Sequence, residues 1–226
     1  RGEQEPVVPD GDGRPERPVP LPDDLRWAYT DAVWRNLPWR RTTWLGQPVR
    51  TAPTDLHAYQ EIISRVRPDW VVEIGTSDEG RATFLATMCE LVGHGQVVSV
   101  RDPDAPDPVP HPRLHVYTGD PLDPAMSEKV HGLVGGGNAV VFLGGCAGRA
   151  PTAAQFEAYA DLVGAGSYVV VTDTVVNGRP VWPSFGPGPG EGVKQILGRH
   201  GEFVADPEME KYGLSFNPGG FLRRIR

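Results

Sequence analysis

The sequence predicts an α/β fold built on a mostly parallel sheet with helices on both faces. Two observations carry that expectation. Short, continuous apolar runs at 69–74, 96–100, 140–143 and 168–171 alternate with segments of helical periodicity. Strands buried on both faces read this way, whereas one-sided strands alternate apolar and polar residues. The first of these runs also ends in a glycine turn that leads into a helix, the strand–turn–helix order of a parallel unit. A chain of 226 residues can build one sizeable core.

In chain order, residues 1–24 hold six prolines and seven acidic residues with little apolar mass. Such a stretch buries too little surface to offset its chain entropy and is expected to be an extended arm, with 25–226 as a single domain. Trp27, Tyr29, Trp34, Trp39 and Trp44 follow within eighteen residues. Large rings concentrated in this way are core or interface anchors. Leu56, Tyr59, Ile62, Ile63 and Val66 recur at spacings of three and four and predict a helix over 54–66, with Thr54 or Asp55 as its cap. A strand at 69–74, a helix at 80–91, and strands at 96–100 and 114–117 come next. After them come a strand at 140–143, a helix at 152–163, a strand at 168–171 and a helix at 190–200. Short strands at 202–205 and 213–216 are expected to close the chain as an antiparallel hairpin.

Composition excludes several function classes. A net charge of -7 argues against nonspecific nucleic-acid binding, which needs a basic surface. No apolar run reaches the roughly 18 residues that cross a bilayer, and no charged-then-apolar leader opens the sequence. Two cysteines, Cys89 and Cys146, are too few for a disulfide framework. A cytoplasmic protein that acts on a small molecule, with no membrane or nucleic-acid partner, is the expectation.

The turn 71–80, Val-Val-Glu-Ile-Gly-Thr-Ser-Asp-Glu-Gly, places Gly75 where a ligand can approach the backbone, ahead of a helix N-terminus that favours polar or anionic groups. It is neither the dinucleotide Gly-x-Gly-x-x-Gly pattern nor a P-loop. Glu73, Gly75, Thr76, Ser77 and Gly80 are the candidate cofactor residues. In folds of this type a carboxylate at the end of the second strand grips a nucleoside ribose. A strand ending at Val100 puts Arg101, which has only donors, at that position; a slip of one residue brings Asp102 there instead. Thr172 and Asp173 close the strand that begins at Tyr168, and Asp173 is the candidate base or orienting acceptor. Cys146 follows two glycines at the end of the preceding strand. It could stand at a pocket mouth, but no local pattern assigns His57, His111 or His115 as a base that would activate it. The run 183–191, Pro-Ser-Phe-Gly-Pro-Gly-Pro-Gly-Glu, reads as a loop over a substrate pocket, with Trp182 and Phe185 as its apolar walls.

From about Trp44 onward the chain resembles the cephalosporin hydroxylase family, methyltransferase-type folds of antibiotic and other natural-product pathways. The matching stretches include Val72-Glu-Ile-Gly-Thr76, Gly93-His-Gly-Gln-Val-Val-Ser-Val100, Asp173-Thr-Val-Val-Asn-Gly178, Phe185-Gly-Pro-Gly-Pro189 and Phe216-Asn-Pro-Gly-Gly-Phe-Leu-Arg223, about four-fifths of the chain in all. The resemblance implies a Rossmann-like class I methyltransferase fold and S-adenosylmethionine or S-adenosylhomocysteine as cofactor. It also implies a magnesium site of three carboxylates at the ends of the fourth and fifth strands. Here those positions read Gly144-Gly-Cys-Ala147 and Thr172-Asp173, so Asp173 alone remains and no metal is expected. The leading expectation is therefore a repurposed tailoring enzyme that performs metal-independent chemistry, such as cyclisation or isomerisation of a natural-product intermediate. The alternatives are a silent paralogue that partners an active relative, and a metal-independent S-adenosylmethionine-dependent O-methyltransferase. Self-association, or association with a paralogue, accompanies each.

Overall fold

Valine-rich strands that bury both faces must be covered on both faces, and the computed structural model shows that arrangement; it describes residues 21–76, 79–145 and 147–226. The main elements are α1 (Asp23–Asn36), the small β1 (Thr43–Trp44) and β2 (Gln47–Pro48) ribbon, α2 (Pro53–Val66), β3 (Trp70–Thr76), α3 (Glu79–Val92), β4 (Gln96–Arg101) and β5 (Leu114–Thr118). They continue with α4 (Pro124–Val134), β6 (Ala139–Leu143), α5 (Arg149–Tyr159), β7 (Tyr168–Val171), α6 (Pro189–Leu197), β8 (Phe203–Ala205) and β9 (Phe221–Arg224). Seven strands form one sheet in the order β5-β4-β3-β6-β7-β9-β8. The first five are parallel, and β9 runs antiparallel to both β7 and β8. This confirms the α/β fold with an antiparallel C-terminal pair.

One face of the sheet packs α2 and α3 through Tyr59, Ile62, Leu85 and Phe142. The other packs α4, α5 and α6 through Val130, Phe156, Tyr159, Val193 and Leu222. Each such side chain, fully buried, contributes roughly 1.5–3 kcal/mol of transfer free energy. A third cluster caps the carboxyl edge, where Trp34 stacks on Trp39 at 4.8 Å and both rings meet Phe216 edge-on. Trp34, Trp39 and Trp44 are thus core anchors, whereas Tyr29 is 53% exposed. No described helix is long and apolar enough to cross a membrane.

Three elements differ from the sequence expectation. Helix α1 starts at Asp23, inside the stretch read as an arm; residues 1–20 lie outside the described residues. It buries only Thr30, so it carries no apolar stripe for periodicity to detect. Helix α4 was not expected at all, although its signals are local: Asp123 accepts from the Ala125 amide at 3.0 Å, Pro124 takes the first turn, and Gly135 ends it at φ +59°. The hairpin partner of β8 is β9, not 213–216. Residues 214–217 run through the interior instead, because Ser215 and Asn217 turn their polar side chains towards buried partners on α2.

Candidate functional site

Strand β3 hands the chain to β4 on one side, while its other neighbour is β6. Their carboxyl ends therefore diverge at a topological switch point, where open α/β sheets bind ligands. The two ends approach closely because both are glycine. Gly75 sits at φ +69°, and a Cβ added to it would lie 3.1 Å from the Gly144 carbonyl; Gly145 takes φ +83°. The resulting cleft of about 450 Å³ is lined by Gly75, Asp102, Asp120, Gly144, Gly145 and Gln155, among others.

The ambiguity at the end of the second sheet strand is resolved by register. β4 extends to Arg101, opposite Thr76 and Thr118. Arg101 is 1% exposed and donates to the Pro106 carbonyl, whereas Asp102 lines the cleft with its Oδ1 fixed by the Asp104 amide at 2.9 Å. Asp120, which the sequence did not single out, lines the same cleft and accepts from the Leu122 amide at 2.8 Å. Gln155, equally unforeseen, is 6% exposed, and its Oε1 has no hydrogen-bond partner among the described residues. A buried amide oxygen left unpaired beside a cleft is complementary to a donor on a bound molecule.

Other candidates are placed differently. Glu73 is fully buried and does not line the cleft: Arg81 Nε donates to its Oε1 and Ser99 Oγ to its Oε2, both at 2.6 Å. Thr76 is likewise buried. Gly80 serves packing, since a Cβ there would collide with the Pro48 carbonyl and meet Val49 Cγ2 at 2.6 Å. Trp182 and Phe185 contact each other edge to face at 5.0 Å; Phe185 packs on the third core cluster and Trp182 is 51% exposed. Neither lines the cleft at Gly75. Ser77 and Cys146 lie outside the described residues.

Thr172 and Asp173 lie just beyond β7. Thr172 donates through Oγ1 to Asp173 Oδ2 at 3.2 Å. Asp173 is held at φ +59°, a left-handed conformation that costs a non-glycine residue on the order of 1 kcal/mol or more and needs support. That support comes from Asn217, fully buried, whose Oδ1 accepts the Asp173 amide at 2.9 Å and whose Nδ2 donates to the Tyr59 hydroxyl at 2.7 Å. Behind it, Asp55 accepts from Ser215 Oγ at 2.7 Å and from the Phe216 amide at 2.9 Å. Burial pushes the Asp55 carboxyl up to about 7 in spite of these two donors, and burial also drives the Tyr59 hydroxyl upward. The motif around Asn217 was visible in the sequence; its bond to Asp173 was not.

A magnesium ion fits these residues poorly. Among the described residues no group of three His, Cys, Asp or Glu side chains is placed to hold a metal. The chemistry of the donor set points the same way. At the end of β6, a side chain begun at Gly144 would meet Arg81 Nη2 at 2.5 Å and Thr172 Oγ1 at 3.4 Å, so a guanidinium occupies the space into which a ligand side chain would project. S-adenosylmethionine fits better: Asp102, Asp120 and Gln155 offer acceptors for ribose hydroxyls and amines around glycines that admit close approach.

Comparison with known proteins agrees with this fold. A family model described as rhamnosyl O-methyltransferase/CmcI matches residues 36–225. The rhamnosyl O-methyltransferase of Mycobacterium tuberculosis is 32% identical over 210 residues, covering 89% of this chain and 86% of its own length. That of Mycobacterium leprae is 29% identical over 212 residues, covering 89% and 91%. Among solved structures, an apo form of CmcI superposes with a TM-score of 0.65 at 20% identity, over 99% of this chain and 90% of its own. A CmcI structure with magnesium and S-adenosylmethionine gives 0.64 at 20% identity, over 93% and 88%. The chain therefore belongs to the rhamnosyl O-methyltransferase/CmcI family, the family that its cephalosporin hydroxylase resemblance indicated.

Proposed function

We propose that this protein is an S-adenosylmethionine-dependent O-methyltransferase that acts without a metal on a hydroxyl group of a glycosylated natural product. The observation that carries the reading is the cleft at the switch point, where Asp102, Asp120 and the unpaired Gln155 Oε1 offer acceptors to a ligand rich in hydroxyls and amines. Bound there, S-adenosylmethionine supplies an electrophilic methyl group. Asp173 would accept the proton of the acceptor hydroxyl that takes the methyl group. Thr172 orients the carboxylate by donating to its Oδ2, and Asn217 holds the backbone turn that presents it. Arg81, anchored by Glu73, keeps a fixed positive charge beside Gly144 and Thr172, which favours a metal-free site. Of the activities weighed from the sequence, cyclisation or isomerisation and a silent-partner role have no observation of their own. Methyl transfer is supported by relatives named for rhamnosyl O-methylation.

Calorimetric titration with S-adenosylmethionine and S-adenosylhomocysteine, in magnesium and in EDTA, tests the reading. Binding and turnover are expected to be unchanged by EDTA. Asp173→Asn is expected to lower kcat by about 100-fold or more while leaving cofactor affinity intact. Failure to bind either cofactor sinks the methyl-transfer reading; activity that requires magnesium sinks its metal-free form.

A further inference from the structure

Between the ends of β6 and β7 lies a cation that belongs to the chain itself. Arg81, in the first turn of α3, is 6% exposed and extends to Gly144, where a side chain begun at that glycine would meet its Nη2 at 2.5 Å. The same point lies 3.3 Å from the Ile74 carbonyl oxygen and 3.4 Å from Thr172 Oγ1. The guanidinium also donates through Nε to Glu73 Oε1 at 2.6 Å, while Ser99 Oγ fixes Glu73 Oε2 at 2.6 Å. Asp173 stands one hydrogen bond further on, its Oδ2 accepting from Thr172 Oγ1 at 3.2 Å. Burial and Asp55 push the Tyr59 hydroxyl upward; Arg81 opposes that push and Asp173 adds to it, so both charges act on one neighbourhood.

The groups gathered about this guanidinium are oxygens: two carboxylates, a hydroxyl and a backbone carbonyl. Oxygen donors of that kind are what a hard divalent cation takes. A guanidinium meets them differently. It offers N–H donors only, keeps its charge at every working pH, and is tethered to the chain. Its charge repels a divalent ion at this range, and its bulk fills the volume that the ion and its water would need. Taking it away leaves Glu73, fully buried, as a carboxylate in need of a counter-charge, next to a vacated space edged by Thr172 Oγ1 and the Ile74 carbonyl.

We propose that Arg81 is the resident cation of this site: its guanidinium fills a latent oxygen site for a divalent cation, made by Glu73, the Ile74 carbonyl, Thr172 and Asp173, and closes that site to metal. The assignment rests on the metal-free part of the reading above and not on methyl transfer. The test uses the full chain with manganese(II) as the probe, read by electron paramagnetic resonance, and magnesium as the competitor. Wild type and Arg81→Lys, which keeps a positive charge there, are expected to show no manganese binding that depends on Asp173. Arg81→Ser and Arg81→Gln are each expected to bind manganese about tenfold or more tighter than wild type. They should release it to magnesium and lose it again when Asp173→Asn is added. Circular dichroism checks folding, and a variant that does not fold without metal is expected to recover its structure when refolded in manganese. Folded variants that bind no manganese, binding indifferent to Asp173→Asn, or failure of manganese to recover either variant overturns the proposal. So does manganese bound by wild type and weakened by Asp173→Asn, since the guanidinium would then exclude nothing. Turnover indifferent to EDTA in wild type, beside variants that bind no manganese, removes the Arg81 assignment alone. Absence of S-adenosylmethionine binding removes methyl transfer and leaves the Arg81 assignment standing.

Discussion

Replacing Asp55 by asparagine should change how stability depends on pH. The carboxyl lies fully buried behind the Asp173 turn, with Asp173 and Glu210 both disfavouring its ionisation, and its proton affinity rises from an ordinary 3.8 to about 7. Between those two values the folded protein keeps a proton that the unfolded chain has released. Stability therefore falls as pH climbs from about 4 to about 7, and it is level above that window. The difference corresponds to ~4 kcal/mol, an upper bound because a buried site relaxes when it ionises. Asparagine cannot ionise, so Asp55→Asn removes this slope. It also turns one oxygen into a donor, which leaves either Ser215 Oγ or the Phe216 amide facing an N–H, at a cost of about 1–3 kcal/mol at every pH. Relative to wild type, the variant should gain about 3 kcal/mol between pH 5 and pH 8, from near-equal stability at pH 5 to greater stability at pH 8. Urea unfolding followed by circular dichroism at half-unit intervals between pH 4.5 and pH 8, a range set by the ~4 to ~7 window, measures this. Parallel curves for the two proteins would refute the reasoning, because the Asp55 carboxyl would then ionise alike in the folded and unfolded chains.

Two further outcomes are expected. Gly80→Ala should destabilise the fold by about 1–3 kcal/mol in thermal or chemical unfolding, since the added methyl meets a backbone carbonyl that cannot move without β2. Unchanged stability there would mean that α3 is not seated against β2 by this contact. Asp102→Asn should weaken S-adenosylmethionine binding by about tenfold in calorimetry, the loss of one charge-assisted acceptor. An unchanged affinity would assign the ribose to another group at the cleft, Asp120 being the nearest in kind.

The local chemistry of the chain determined a good deal. Unbroken valine runs allow no half-solvated sheet, and the turn after β3 needs glycine at Gly75, so the parallel sheet and its switch-point cleft were legible residue by residue. So was the end of β7 at Thr172–Asp173, and the motifs that carried the family resemblance did so without coordinates. Tertiary structure alone decided which side chains meet. One residue of strand register put Asp102 rather than Arg101 at the cleft, because Arg101 still pairs within the sheet and its side chain turns inward. Glu73 looked like a ligand group and proved to be the buried anchor of Arg81. Asn217 reaches Tyr59 across 158 residues, and Ser215 reaches Asp55 across 160. Periodicity and turn chemistry are properties of neighbouring residues and can be read in order. Hydrogen bonds and cavities between distant segments arise only when the sheet brings those segments to one edge, and most of this protein's proposed chemistry lies at that edge.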